Sequence, residues 1–154
     1  MVVRDILRMV PFFQELAQPE LDLIVALGHV VGYPKDMVLF KEGDTGEAFY
    51  VVVEGVVRIA KSAPESWDGT IAFIEKGGCF GEMALVDDLP RSATAIAHED
   101  CMLLFLEREA VLDLFREVPV VGRKVLWALC RSLSLRLREA SDRIIALSAL
   151  ARAS

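Results

Sequence analysis

Between residues 29 and 108 the chain is a succession of short apolar runs, each closed by a turn signal, and this pattern leaves few folds open. HVVGY (29–33) runs into the turn Pro34-Lys35-Asp36, and MVLF (37–40) into EGDTG (42–46). AFYVVV (48–53) reverses at Glu54-Gly55 into VVRIAKS (56–62). A polar loop, APESWDG (63–69), precedes TIAFI (70–74), which ends at Lys76-Gly77-Gly78. After an interruption at 79–91 come SATAIA (92–97) and CMLLFLE (101–107). Short runs rich in β-branched and aromatic residues, bounded by Gly, Pro and Asp, are strand signals. Seven or eight short antiparallel strands predict a β-barrel or jelly roll, the double-stranded β-helix.

The two flanks have a helical period. Leu7, Val10, Phe13 and Leu16 recur every three residues, interrupted by Pro11. Gln18-Pro19-Glu20 opens a second piece, with proline and an acid in its first turn and Gly28 as its stop. After residue 109, Ala110, Leu112, Leu114 and Phe115 form a short helix ending before Pro119. Residues 120–148 read as one helix, with Leu126, Leu129, Leu133, Leu137, Ala140, Ile144 and Leu147 three or four apart. Such a helix is about 40 Å long, more than a small barrel needs for cover. The expected class is therefore α+β: one domain over 1–154, helical at 3–28, a β-roll over 29–108, and C-terminal helices over 109–148. The stripe can pack on the barrel, form the seam of a parallel homodimer, or do both.

Composition bounds the function. The chain has 154 residues, 54% apolar and 26% charged, which excludes extensive disorder. No apolar run approaches the roughly 18 residues of a membrane span, and MVVRDILRMV lacks the features of a signal peptide. A cytoplasmic location with no membrane partner is expected. The net charge is −6, which disfavours general nucleic-acid binding, and no direct nucleic-acid partner is expected. The charge is uneven: residues 1–117 carry 10 basic and 21 acidic side chains (−11), and residues 118–154 carry 7 and 2 (+5). The basic end complements the acidic body or docks an acidic partner. Cys79, Cys101 and Cys130 are widely spaced, without a C-x-x-C, and only His29 and His98 could join them, so no metal site is expected. No nucleophile with a paired base is evident, so neither an enzyme nor a cofactor is expected. Trp67 and Trp127 read as partial cover for apolar surface.

The informative chemistry is FGEMALVDDLPRSATA (80–95), too long for a plain hairpin loop. Gly81 allows close approach of ligand and backbone. The short helix-forming stretch Glu82-Met83-Ala84-Leu85 offers free N–H groups to an anion. Arg91 supplies a planar fork for two phosphate oxygens. Glu82 would repel a phosphate, but it suits a neighbouring hydroxyl, and phosphate beside hydroxyl describes a ribose phosphate. Read alone, Arg91 could equally be an ion-paired surface arginine and Glu82 a helix-start acid.

Gly81-Glu82-x-Ala84-Leu85 followed by Pro90-Arg91-x-Ala93-Thr94 resembles the phosphate-binding cassette (80–94) of the cyclic nucleotide-binding domain family. That family includes the bacterial catabolite activator protein, the regulatory subunits of cAMP-dependent protein kinase, and cyclic-nucleotide-gated channels. EGDTGEAFYVVVEGVV (42–57) is similar to the family's second to fourth strands, and the resemblance spans roughly residues 10–147. It implies that Arg91 pairs with the cyclic phosphate and that Glu82 accepts from the ribose 2′-hydroxyl. Gly81, Met83 and Ala84 would line the cradle with backbone groups, and Ser92 would donate to the phosphate or reach a guanine amino group. Gly43, Gly46 and Gly55 are read as turn glycines without a ligand role.

In this family the base is capped by the C-terminal helix or a partner subunit, and the candidates here are Arg131, Ser132, Arg136 and Leu137. An ungapped comparison from Pro119 puts Arg136 and Leu137 where the catabolite activator has a Thr-Ser pair. The implied ligand is cAMP, with cGMP as the alternative. Because the sequence stops at Ser154, the expected function is a cyclic-nucleotide sensor that moves its C-terminal helix against an unidentified output protein. The alternatives are the regulatory domain of a longer transcription regulator or channel, or an interaction scaffold without ligand.

Overall fold

The computed structural model describes residues 3–154. Helix α1 (Val3–Leu7), a 3-10 turn (Pro11–Phe13) and α2 (Gln18–Leu27) precede the strands β1 (His29–Tyr33), β2 (Val38–Phe40), β3 (Ala48–Glu54), β4 (Val57–Ala60) and β5 (Thr70–Ile74). Then come β6 (Cys79–Phe80), a 3-10 turn (Glu82–Leu85), β7 (Thr94–Ala97), β8 (Cys101–Glu107), α3 (Arg108–Glu117) and α4 (Pro119–Ala153). The strands form two four-stranded antiparallel sheets, ordered β1-β8-β3-β6 and β2-β7-β4-β5. This is the expected jelly roll between helical flanks.

The unbroken apolar runs of β3 and β8 follow from burial on both faces. Phe49, Val51, Leu104 and Leu106 face the helices, joining Phe13, Leu21, Ile24, Val121, Val125 and Leu129 in one core. Tyr50, Val52 and Leu103 face the other way, into a second core between the sheets with Val57, Phe80, Ala95 and Ala97. Glu20 ties α2 to α4: its carboxylate takes the Ala17 N–H at 2.7 Å and the Lys124 ammonium at 2.6 Å.

Several details depart from the sequence reading. The N-terminal stretch breaks around Pro11 and restarts at Gln18 as expected, but its Pro11 segment is a 3-10 turn. The interruption at 79–91 contains the two-residue strand β6, paired to β3. Helix α4 begins at Pro119 and runs to Ala153, beyond the expected 148. Its stripe does not act as one face: Leu129 is buried and Leu126 and Leu133 pack on the core, while Leu137, Ile144 and Leu147 are 64–70% exposed. Trp67 and Trp127, expected as partial cover, stand largely open. Among the described residues no helix is long and apolar enough to cross a membrane.

Candidate functional site

A cavity of about 470 Å³ opens beside the second sheet, within the size range of small-molecule sites. Its floor is the segment between β6 and β7. Gly81 closes β6 with φ +78°, a left-handed conformation, and starts the 3-10 turn Glu82–Leu85. A Cβ at Gly81 would lie 2.6 Å from Arg91 Nη1, so a side chain there would push the guanidinium aside, and the positive φ itself favours glycine.

Arg91 is held on the cavity wall by main-chain groups. Its Nη2 donates to Ala48 O at 2.6 Å and its Nη1 to Gly81 O at 3.3 Å. The turn before β3 grips its backbone: Arg91 N donates to Asp44 O at 2.7 Å, and Gly43 N donates to Arg91 O at 2.8 Å. The guanidinium lies over the Phe40 ring, 4.0 Å from its centroid. Arg91 Nε is sealed from solvent without a hydrogen-bond partner, and among the described residues no carboxylate pairs with Arg91. Burial draws the guanidinium's pKa below its ordinary value, opposed by Tyr50, Asp44, Glu47 and Glu82. A half-buried cation without a carboxylate partner on a cavity wall is chemically suited to an anion.

Glu82 is 4% exposed and is the one buried charged residue among those described. Its Oε1 pairs with Arg136 Nη2 of α4 at 2.6 Å, which joins the cradle directly to the C-terminal helix. Arg108, where β8 passes into α3, makes a second tie. Its Nε donates to Ala84 O at 2.6 Å and its Nη2 to Asp88 Oδ1 at 2.7 Å. Cys79 also lines the cavity, and burial raises its thiol pKa far above the ordinary value, keeping it protonated.

Gly81, Glu82, Met83, Ala84, Arg91 and Ser92 all line this one cavity. Of the four capping candidates only Arg136 reaches it. Arg131 and Leu137 project elsewhere because successive residues of an α-helix turn by about 100°, and Ser132 lies one turn back toward the barrel. Gly46, given no ligand role from sequence, also lines the cavity, and a Cβ there would lie 3.2 Å from the Ala84 Cβ. Phe40, Ile59, Ile71 and Ile74 complete an apolar wall from other strands. The apolar alternation of those strands was visible in sequence, but not which face they turn to Arg91.

Comparison with known proteins agrees with this geometry. The family model described as cyclic nucleotide-binding domain matches residues 30–118. The chain is 40% identical over 130 residues to the Cyclic AMP receptor protein of Thermus thermophilus, covering 84% of this chain and 58% of that protein. It is 35% identical over 109 residues to the human cGMP-dependent protein kinase 2, covering 69% of this chain and 14% of the kinase. The N-terminal domain of a transcriptional regulator from Streptomyces coelicolor A3(2) superposes with TM-score 0.78 at 31% identity, covering 91% of this chain and 95% of that one. The chain thus spans little more than half of the Thermus relative. Matches to regulators of greater length do not support the expectations of no attached output and no nucleic-acid partner. By its cradle, its two sheets and these matches, the chain belongs to the cyclic nucleotide-binding domain family.

Proposed function

We propose that this chain binds cAMP in the cavity at Arg91 and reports binding through α4. The observation that carries the reading is the half-buried Arg91 guanidinium, without a carboxylate partner among the described residues, on a cavity wall otherwise rich in apolar groups. The cyclic phosphate accepts from the Arg91 guanidinium and from the Ser92 backbone, a charge-assisted contact in a partly dry site. Gly81, Met83 and Ala84 close the cradle around it. Glu82 accepts from the ribose 2′-hydroxyl. Because Arg136 already holds Glu82 Oε1, the ribose shares or displaces that ion pair, and α4 shifts with it. Ligand moves α4 only to the extent that it binds one helix position better than another. Arg136 is the group that α4 offers to the base end of the cavity.

A second reading, cGMP, is favoured by Ser92, whose hydroxyl can reach a guanine amino group, and by the similarity to a cGMP-dependent kinase. The exposed outer half of α4 suits pairing with a second copy, and the site's output passes to a partner protein or a further domain. Calorimetric titration with cAMP and with cGMP, after stripping co-purified nucleotide, tests the assignment. Arg91→Ala is expected to weaken binding by about 2–5 kcal/mol. Wild-type affinity in that variant rules out the phosphate role of Arg91. Silence of the wild type toward both nucleotides rules out the reading as a whole.

A further inference from the structure

We propose that Phe40 is a positioning residue of the phosphate subsite, a cation–π platform that holds the Arg91 guanidinium on the cavity wall where the anion binds. This rests on the cyclic-nucleotide reading of the cavity and assigns the cavity a part that its local motif does not contain.

In β2 the pairing passes from Val38↔Ile96 to Phe40↔Ala95, so two steps along β2 match one step along β7. That is a β-bulge, which re-aims side chains beyond it. Without it, Phe40 would share the face of Val38, two residues earlier, which is 42% exposed. With it, Phe40 packs against the inner core, its ring 6.0 Å from those of Tyr50 and Phe80, which stack on each other at 5.0 Å. The bulge therefore turns an aromatic ring inward at the point where Arg91 crosses, 4.0 Å above its centroid.

The guanidinium needs such a surface. Its two Nη groups bond to carbonyls that fix its position but supply no counter-charge. The negative face of an aromatic ring stabilises a partly desolvated cation without taking a hydrogen bond from it. The positive charge is thus kept for the ligand, where a carboxylate partner would compete with phosphate. Tyr50 and Phe80 pack against the ring, so the platform is built from three strands.

The test compares wild type, Phe40→Leu and Phe40→Tyr in calorimetric titration with cAMP and cGMP, with thermal melts and side-chain NMR of Arg91. Phe40→Leu is expected to weaken nucleotide binding by about 3- to 30-fold, while Phe40→Tyr stays within about threefold of wild type. In the NMR spectra, the Arg91 δ and ε protons are expected at the upfield positions produced by a ring current in wild type and Phe40→Tyr, and at ordinary positions in Phe40→Leu. A Phe40→Leu variant that melts lower but binds as wild type overturns the proposal, because Phe40 then acts only in packing. So does an Arg91 spectrum that is ordinary in the wild type. A wild type that binds neither nucleotide removes the cyclic-nucleotide reading and this role together. Wild-type binding with no difference in Phe40→Leu removes this role alone.

Discussion

Gly81 and Arg91 interlock: the guanidinium occupies the space in which a side chain at Gly81 would stand. Gly81→Ala therefore incurs about 1–2 kcal/mol of left-handed strain and also pushes on Nη1. The expected outcome is a lower melting temperature with at least a tenfold loss of cyclic-nucleotide affinity, read by thermal melt and titration. Glu82 depends on a distant residue in the same way. Arg136→Leu leaves a carboxylate with a 5% exposed side chain without its charged partner. Because Arg136 is half exposed, the loss in unfolding free energy is expected at the low end of the usual range, about 1 kcal/mol by urea denaturation. The contiguous cradle from Gly81 to Ser92 was legible because glycine, acid and arginine lie on one short segment. Phe40, Gly46 and Arg136 were not separable from their neighbours, because tertiary packing and a bulge bring them to the cavity and no local spacing encodes that.

At the scale of elements, one tie joins the site to α3 and another joins the two helical flanks. Arg108 fixes the end of the 3-10 turn and Asp88 to the start of α3. Arg108→Ala orphans the Ala84 carbonyl, and amide exchange across 82–90 is expected to speed up by about tenfold. The second tie is Glu20, whose carboxyl is held below its ordinary pKa of 4.5, first by the Lys124 hydrogen bond and then by the Ala17 N–H. A carboxyl with a depressed folded-state pKa contributes stability above its unfolded value, and that contribution is lost as pH falls through the folded value. The α2–α4 tie is therefore expected to hold at neutral pH and to weaken below about pH 4.5, with Glu20→Gln flattening that part of the stability profile. Seven of the eight strands were legible from apolar runs and turn residues. Cys79–Phe80 was not, since two residues are too few to display an alternation.

Across the whole molecule the apolar stripe of α4 divides in two. Its first half completes the helical core, and its second half leaves Leu137, Ile144 and Leu147 open to solvent. The spacing in sequence is continuous across the change, because periodicity records which face is apolar and not where the body beneath it stops. Paired with a second copy, those residues would be covered. Leu137→Asp with Ile144→Asp is expected to convert a dimer to a monomer in sedimentation velocity, leaving nucleotide affinity per chain within about threefold if each cavity is complete in one copy.

The overhang also has a mechanical consequence. Arg136 grips the cradle near the point where α4 leaves the body, so the residues from there to Ala153 form a lever arm about 26 Å long. A tilt of roughly 10° at that fulcrum sweeps the tip through roughly 4 to 5 Å, and each further turn of helix adds about 1 Å to the swing. Displacement too small to reshape the cavity thus arrives at the far end as a movement the size of a side chain, with the gain set by helix length.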